Sequence, residues 1–315
     1  MPIDAHLDQL TASARAVISA GYWTRPAGAI RRADKETEFV TTLIESCVGP
    51  LTQAWDEILK GAGLDLTVRG LFLHQRPKVR FPSPTVADCG AGFCELADLL
   101  IVHDHERTAR RAVLVQAKTV PGDAVTGDQK DLYERWDSFR FAAGAKGRTY
   151  GIAPNDEGCR YGIVRIPPPG LEEPWLAEQP LATRQPDDFG RLLAEMLAAT
   201  VAGRAVPARP ATIGGNDDWS VLIDDLLSVS LTARYPLKGF WPAKQRRYFR
   251  GDLPIGLISW HSLSDSWEAV ATSSSSVDAL GPYDPGGGSG EPSTVEREGP
   301  EGISVIHLST SETRD

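Results

Sequence analysis

Two short apolar runs, Leu96 to Val102 and Ala112 to Val115, flank a polar stretch from His103 to Arg111. Each run is too short for a helix, and the polar stretch suits a chain reversal, so the pair reads as an antiparallel hairpin. In such a hairpin the start of the first strand lies beside the end of the second. Asp98 therefore faces Gln116 and Lys118. Alternation along a strand puts Gln116 and Lys118 on one face and Ala117 on the other. The hairpin thus gathers a carboxylate, an amide oxygen and an ammonium into one small volume.

Around this hairpin the pattern predicts an α/β layer architecture, a mixed sheet flanked by helices. A helix is expected over Leu7 to Ile18, broken by Gly21, Pro26 and Gly28. A second starts at the N-cap candidate Asp34 and carries apolar residues at Phe39, Leu43, Ile44, Val48 and Leu51, with Glu36, Glu38 and Glu45 along it. Short strands are expected at Leu71 to Leu73, Lys78 to Phe81, Tyr150 to Ile152 and Gly162 to Ile166, with a helix over Asp128 to Phe141. Beyond Pro167-Pro168-Pro169-Gly170, helices are expected at Phe189 to Val201 and Trp219 to Leu231.

These elements divide the chain into an N-terminal helical extension (1–33), a core (34–166), a mainly helical C-terminal region (171–270) and a tail (271–315). Ser, Gly, Pro and Glu dominate 273–300, a composition that buries too little apolar area to offset its ordering entropy. Within the tail, Ile303 to Leu308 could return as an edge strand or stay apart.

The hairpin's end has the groups that phosphodiester hydrolysis requires. Mg²⁺, or the chemically similar Mn²⁺, takes oxygen ligands, usually one or two carboxylates with waters and substrate phosphate completing the shell. Asp98 is the first ligand candidate, the Gln116 amide oxygen the second and the Ala117 carbonyl a third, while Lys118 is placed to orient water or to stabilise charge on phosphate. A carboxylate from the acidic helix would complete the set. Glu95 could add to it or face solvent.

Asp98 followed by Gln116-Ala117-Lys118 resembles the PD-(D/E)xK nuclease superfamily in its Gln-for-Glu variant. The run Gln129-Lys130-Asp131-Leu132-Tyr133 is similar to the QxxxY motif of the RecB-like branch, its two named residues one helical turn apart on the same face. The resemblance covers roughly residues 34 to 166. It implies a restriction-endonuclease-like core, Mg²⁺-dependent cleavage of DNA, Glu38 as the acidic-helix residue that joins Asp98 and Gln116 at the metal, and Gln129 and Tyr133 positioning substrate and ligands. It also implies a setting in antiphage defence or DNA repair, with a partner protein or a second copy of the chain in the assembly. Gln116 is neutral where most members carry a ligating carboxylate, which weakens metal binding.

With 41% apolar residues the chain can bury a sizeable core. Its net charge of -9 means that nucleic-acid contact must come from a local patch. One candidate is the run from Arg234 to Arg250, which has six basic residues, five aromatics and no acid. Lys238, Lys244, Arg246, Arg247 and Arg250 would meet phosphates there and the aromatics would stack on bases; a packing segment with solvated cationic heads is the alternative. Cys47, Cys89, Cys94 and Cys159 form no disulfide framework or zinc spacing, and no leader or ~20-residue apolar span is visible, so a reduced cytoplasmic protein is expected. His103-Asp104-His105 reads as an ordinary hairpin tip rather than a second metal site, and Trp136 with Phe139 as core rather than a base-stacking platform. The competing reading of the whole is a catalytically silent nucleic-acid-binding or scaffold subunit of a larger complex, on the same fold. The residues do not separate DNA from RNA.

Overall fold

A computed structural model of the chain describes residues 3–23, 35–72, 77–81, 93–105, 110–119, 127–136, 138–142, 148–153, 157–164, 175–178, 180, 187–198, 202–206, 217–232, 257–261 and 303–313. In chain order its elements are α1 (Leu7–Trp23), α2 (Lys35–Thr42), α3 (Val48–Lys60), β1 (Leu64–Phe72), β2 (Lys78–Arg80), β3 (Phe93–Glu95), β4 (Leu99–His105) and β5 (Arg110–Lys118). They continue with α4 (Asp128–Arg135), β6 (Arg140–Phe141), β7 (Cys159–Val164), β8 (Trp175–Glu178), β9 (Asp187–Asp188), α5 (Phe189–Ala198), β10 (Arg204–Val206), α6 (Asp218–Thr232), β11 (Leu257–His261) and β12 (Ser304–Glu312). Among the described residues nine strands form one mixed sheet in the order β11-β1-β12-β4-β5-β7-β8-β9, with β10 also on β5. β2, β3 and β6 form a second, small sheet. The basic-aromatic run 234–250, the Ser/Gly/Pro-rich stretch 273–300, Cys89, the Asp34 cap and the Glu38 side chain lie outside the described residues.

Alternation along the strands builds two cores, one on each face of the sheet. Leu99 and Ile101 of β4 with Val113, Val115 and Ala117 of β5 pack under α1, α2, α3 and α5. Leu100, Val102, Ala112 and Leu114 face the other way, under α4 and α6. The helical stretch from Lys35 to Lys60 is interrupted by a π-helical turn over Leu43–Cys47. Pro50 accounts for it: proline donates no backbone hydrogen bond and its ring crowds the carbonyl four residues back, which lies inside that turn. Gly70 lets β1 approach this stretch, since a Cβ there would meet Ile44 Cγ2 at 2.8 Å. Trp55 Nε1 donates to the Leu10 carbonyl at 2.9 Å in the buried interior, tying α1 to α3.

The hairpin forms as expected, with Leu99 opposite Val115 and Val102 opposite Ala112. Its strands reach further into the polar stretch than periodicity indicated, because His103 is 1% exposed beneath a third strand. That strand is β12, parallel to β4 from Ser304↔Leu99 to Thr310↔His105 and antiparallel to β1 on its other side. The end of the expected tail is therefore an interior strand of the sheet, neither an edge nor a free segment. The sheet likewise continues into the C-terminal region through β8 to β11, so that region is not a separate helical layer. α1 runs through Gly21 to Trp23, and the strand expected at Leu71 to Leu73 is the end of the nine-residue β1. The helix expected over Asp128 to Phe141 stops at Arg135, where Trp136 adopts a left-handed conformation (φ 52°). Phe139 then bridges Tyr150, and Arg140–Phe141 pairs with β2. Trp136 and Phe139 are both buried in the core, as read from the sequence.

Charged groups lock β12 in place. Asp104 accepts from Arg110 Nε at 2.6 Å and lies 2.6 Å from His307 Nε2, and Arg110 reaches Asp224 of α6 at 2.9 Å. Burial alone would raise the Asp104 carboxyl; the hydrogen bonds from His307 and Arg110 outweigh it and hold the pKa down at about 2. His103 Nε2 lies 3.0 Å from Thr310 Oγ1, and burial, with His105 and His307 nearby, pushes its pKa down to about 4. The unfolded chain takes up that proton near pH 6.5 and the folded chain only near pH 4, so stability falls as pH drops through this interval. The loss is about 3 kcal/mol at 1.36 kcal/mol per pH unit. Urea denaturation of His103→Gln at pH 7 and pH 4 should show a correspondingly shallower decline than the wild type; equal declines would contradict this role for His103.

Candidate active site

Asp98 occupies the position at which the chain enters β4. Its backbone N–H donates to the Val115 carbonyl at 3.0 Å, and its carboxylate turns onto β5, where Oδ2 accepts from the Ala117 N–H at 2.8 Å. The Gln116 side-chain Nε2 donates to the same oxygen. Asp98 is 4% exposed and Gln116 0%. Gln116 Oε1 is buried without a hydrogen-bond partner, and Asp98 Oδ1 is buried beside the pair. Lys118, half-buried two residues further along β5, shares the Gln116 face by strand alternation, and no carboxylate pairs with it among the described residues. Of the three residues expected here, Asp98 and Gln116 are in hydrogen-bond contact, and Lys118 follows two residues along the same strand.

α4 supports this arrangement from below. It starts at Gly127, whose positive φ of 76° suits glycine and whose carbonyl accepts from the N–H groups of Lys130 and Asp131. One turn apart on a single face, Gln129 Nε2 donates to the Glu95 carbonyl at 3.2 Å and Tyr133 Oη to the Leu96 carbonyl at 2.9 Å. Both side chains thus grip the backbone just ahead of Asp98. Burial raises the Tyr133 phenol well above its usual range, so it stays a neutral donor.

Tyr133 also stacks on Tyr161 (ring centroids 5.4 Å apart) and on Trp136 (6.0 Å). Tyr161 is the register partner of Gln116 on the parallel neighbour β7, which makes it the near wall of the site. Sequence reading missed Tyr161, because the strand expected there began at Gly162. The only signal was the apolar alternation of β7 continuing back through Tyr161 to Cys159.

α2 contains Glu38, and its Phe39 and Val40 enter the core on the opposite face of the sheet from Gln116. Glu95 is half-buried and lies across from Lys78 on β2. His103 and Asp104 belong to β4 and its contacts with β12, and among the described residues no group of three or more His, Cys, Asp or Glu side chains is arranged to hold a metal ion. No helix among them is long and apolar enough to cross a membrane.

A divalent ion fits the donor set in one respect. A buried amide oxygen without a hydrogen bond is costly unless some group takes up its lone pairs, and a hard cation at Gln116 Oε1 and the Asp98 carboxylate would do so. No protein-family model, curated protein or solved structure matches this chain.

Proposed function

We propose that this chain is a metal-dependent deoxyribonuclease with a restriction-endonuclease-like core. The observation that supports it best is the Asp98–Gln116 contact at the end of the β4–β5 hairpin that also carries Lys118, with the Gln116 amide oxygen buried and unsatisfied. Asp98 and Gln116 are the residues that would hold Mg²⁺ or Mn²⁺, Glu38 being the expected third. When bound, the ion supplies Lewis-acid polarisation of the phosphodiester. The chain's own contribution is positional. Gln129 and Tyr133 fix the backbone leading to Asp98, the Gln116 and Ala117 N–H donors fix its carboxylate, and Lys118 presents a cation to charge developing on phosphate. The resemblance noted above extends the reading to antiphage defence or DNA repair.

A second reading, a catalytically silent nucleic-acid-binding or scaffold subunit on the same fold, is favoured by one feature. The Gln116–Asp98 hydrogen bond closes the pair without any ion, and both side chains are buried. Incubating the protein with linear, supercoiled and single-stranded DNA in Mg²⁺, in Mn²⁺ and in chelator decides between the two. The nuclease reading expects cleavage only with metal, slowed by about 10²- to 10³-fold in Lys118→Ala, the usual effect of removing one charge-stabilising donor. Metal-independent cleavage, or none of any substrate, would remove its support.

A further inference from the structure

The small sheet β3-β2-β6 adjoins the site and has a basic outer face. Along β2, Val79 is buried while Lys78 and Arg80 point out to solvent. β6 pairs Phe141 with Val79 and Arg140 with Arg80, so Arg140 shares the outer face. β3 places Glu95 opposite Lys78, so among the described residues of this face one carboxylate stands with three cations. Three residues beyond Glu95 along the chain is Asp98. On neighbouring α4 the cations are taken up locally, Lys130 by Glu134 at 3.7 Å and Arg135 by Asp131 at 3.3 Å. Arg80 makes no such pair among the described residues. In a chain of net charge -9, a sheet face with this excess of cations, on the small sheet whose strand β3 leads into Asp98, is a local departure from the charge of the whole.

We propose that Lys78, Arg80 and Arg140 form a contact surface for the phosphate backbone of duplex DNA, leading the strand to Asp98. The inference rests on the deoxyribonuclease reading and adds to it the surface that holds substrate. Charge complementarity carries it: the exposed Lys78 and Arg80 and the half-buried Arg140 present ammonium and guanidinium groups that match a polyanion. Contacts of this kind position the duplex without reading its sequence, so the surface confers affinity but no base preference.

The test uses the full chain, a fluorescently labelled duplex DNA and fluorescence anisotropy in chelator, so that nothing is cut, over a series of salt concentrations. Replacing Lys78, Arg80 and Arg140 together by Ser should weaken binding and reduce the slope of log affinity against log salt by about 2 to 3, each phosphate contact contributing about 0.9. Arg80→Lys with Arg140→Lys, which keeps the charge, should leave the slope as in the wild type, and circular dichroism should show all variants folded. A wild type that binds and cleaves DNA, paired with a triple variant of unchanged slope, overturns this surface alone. A wild type that binds no DNA overturns both the surface and the reading beneath it. A slope that responds to the triple variant with RNA but not with DNA overturns the assignment to DNA.

Discussion

A chain ending at Gly302 should not fold. β12 lies between β1 and β4, pairing with the first from Leu64↔Glu312 to Leu71↔Val305 and with the second over Ser304 to Thr310. Removing it exposes two open strand edges in the middle of the sheet. It also removes Ile303, Val305, Ile306 and Leu308, each 3% exposed or less, from the two cores. At about 2 kcal/mol per buried aliphatic side chain these four contribute about 8 kcal/mol, within the 5–15 kcal/mol that is the whole stability of a typical domain. The truncated chain should show no cooperative thermal transition by circular dichroism. A sharp melt like that of the full chain would mean that β12 is dispensable.

Gln116→Glu should make the fold depend on metal. In the wild type the Gln116 amide donates to Asp98 Oδ2, and a glutamate there would set two carboxylates in contact within a buried site. Like charges at this distance resist joint ionisation, and an uncompensated buried charge typically costs about 3–5 kcal/mol. The metal-free variant should therefore lose stability on that order at pH 7. A divalent cation binding between the carboxylates should restore much of it, since a ligand held by the folded state alone stabilises that state by mass action. The expected result in differential scanning fluorimetry is a lower Tm in chelator and a much larger Mg²⁺- or Mn²⁺-induced rise than in the wild type. Equal metal shifts in the two proteins would argue that no ion enters between residues 98 and 116.

What the sequence revealed of this site was its local part. The meeting of Asp98 with Gln116, and the place of Lys118 on the same strand, follow from a hairpin and a period of two, both short-range properties of the chain. The shared face of Gln129 and Tyr133 follows from helical spacing in the same way, although their actual partners, the Glu95 and Leu96 carbonyls, belong to a backbone segment that no side-chain pattern marks. Tyr161 reaches the site through a parallel crossover, a long-range pairing that leaves no local trace. The same holds for β12, whose six-residue apolar stretch follows a segment of tail-like composition yet completes the centre of the sheet. His103 looked like a turn residue because its neighbours are polar; only the arrival of β12 from some two hundred residues away buries it. Trp136 ended α4 early because it took a left-handed conformation, while the buried Leu132, Trp136 and Phe139 kept a spacing that also suits a longer helix.

The most direct test of the account is the Mg²⁺-dependent cleavage of DNA by Asp98→Ala beside the wild type, at matched thermal stability. Asp98 is the one carboxylate that the described site places against both Gln116 and Ala117, so its loss should reduce cleavage to the level seen in chelator. Cleavage by the folded variant at the wild-type rate would contradict the assignment of this hairpin as the active site.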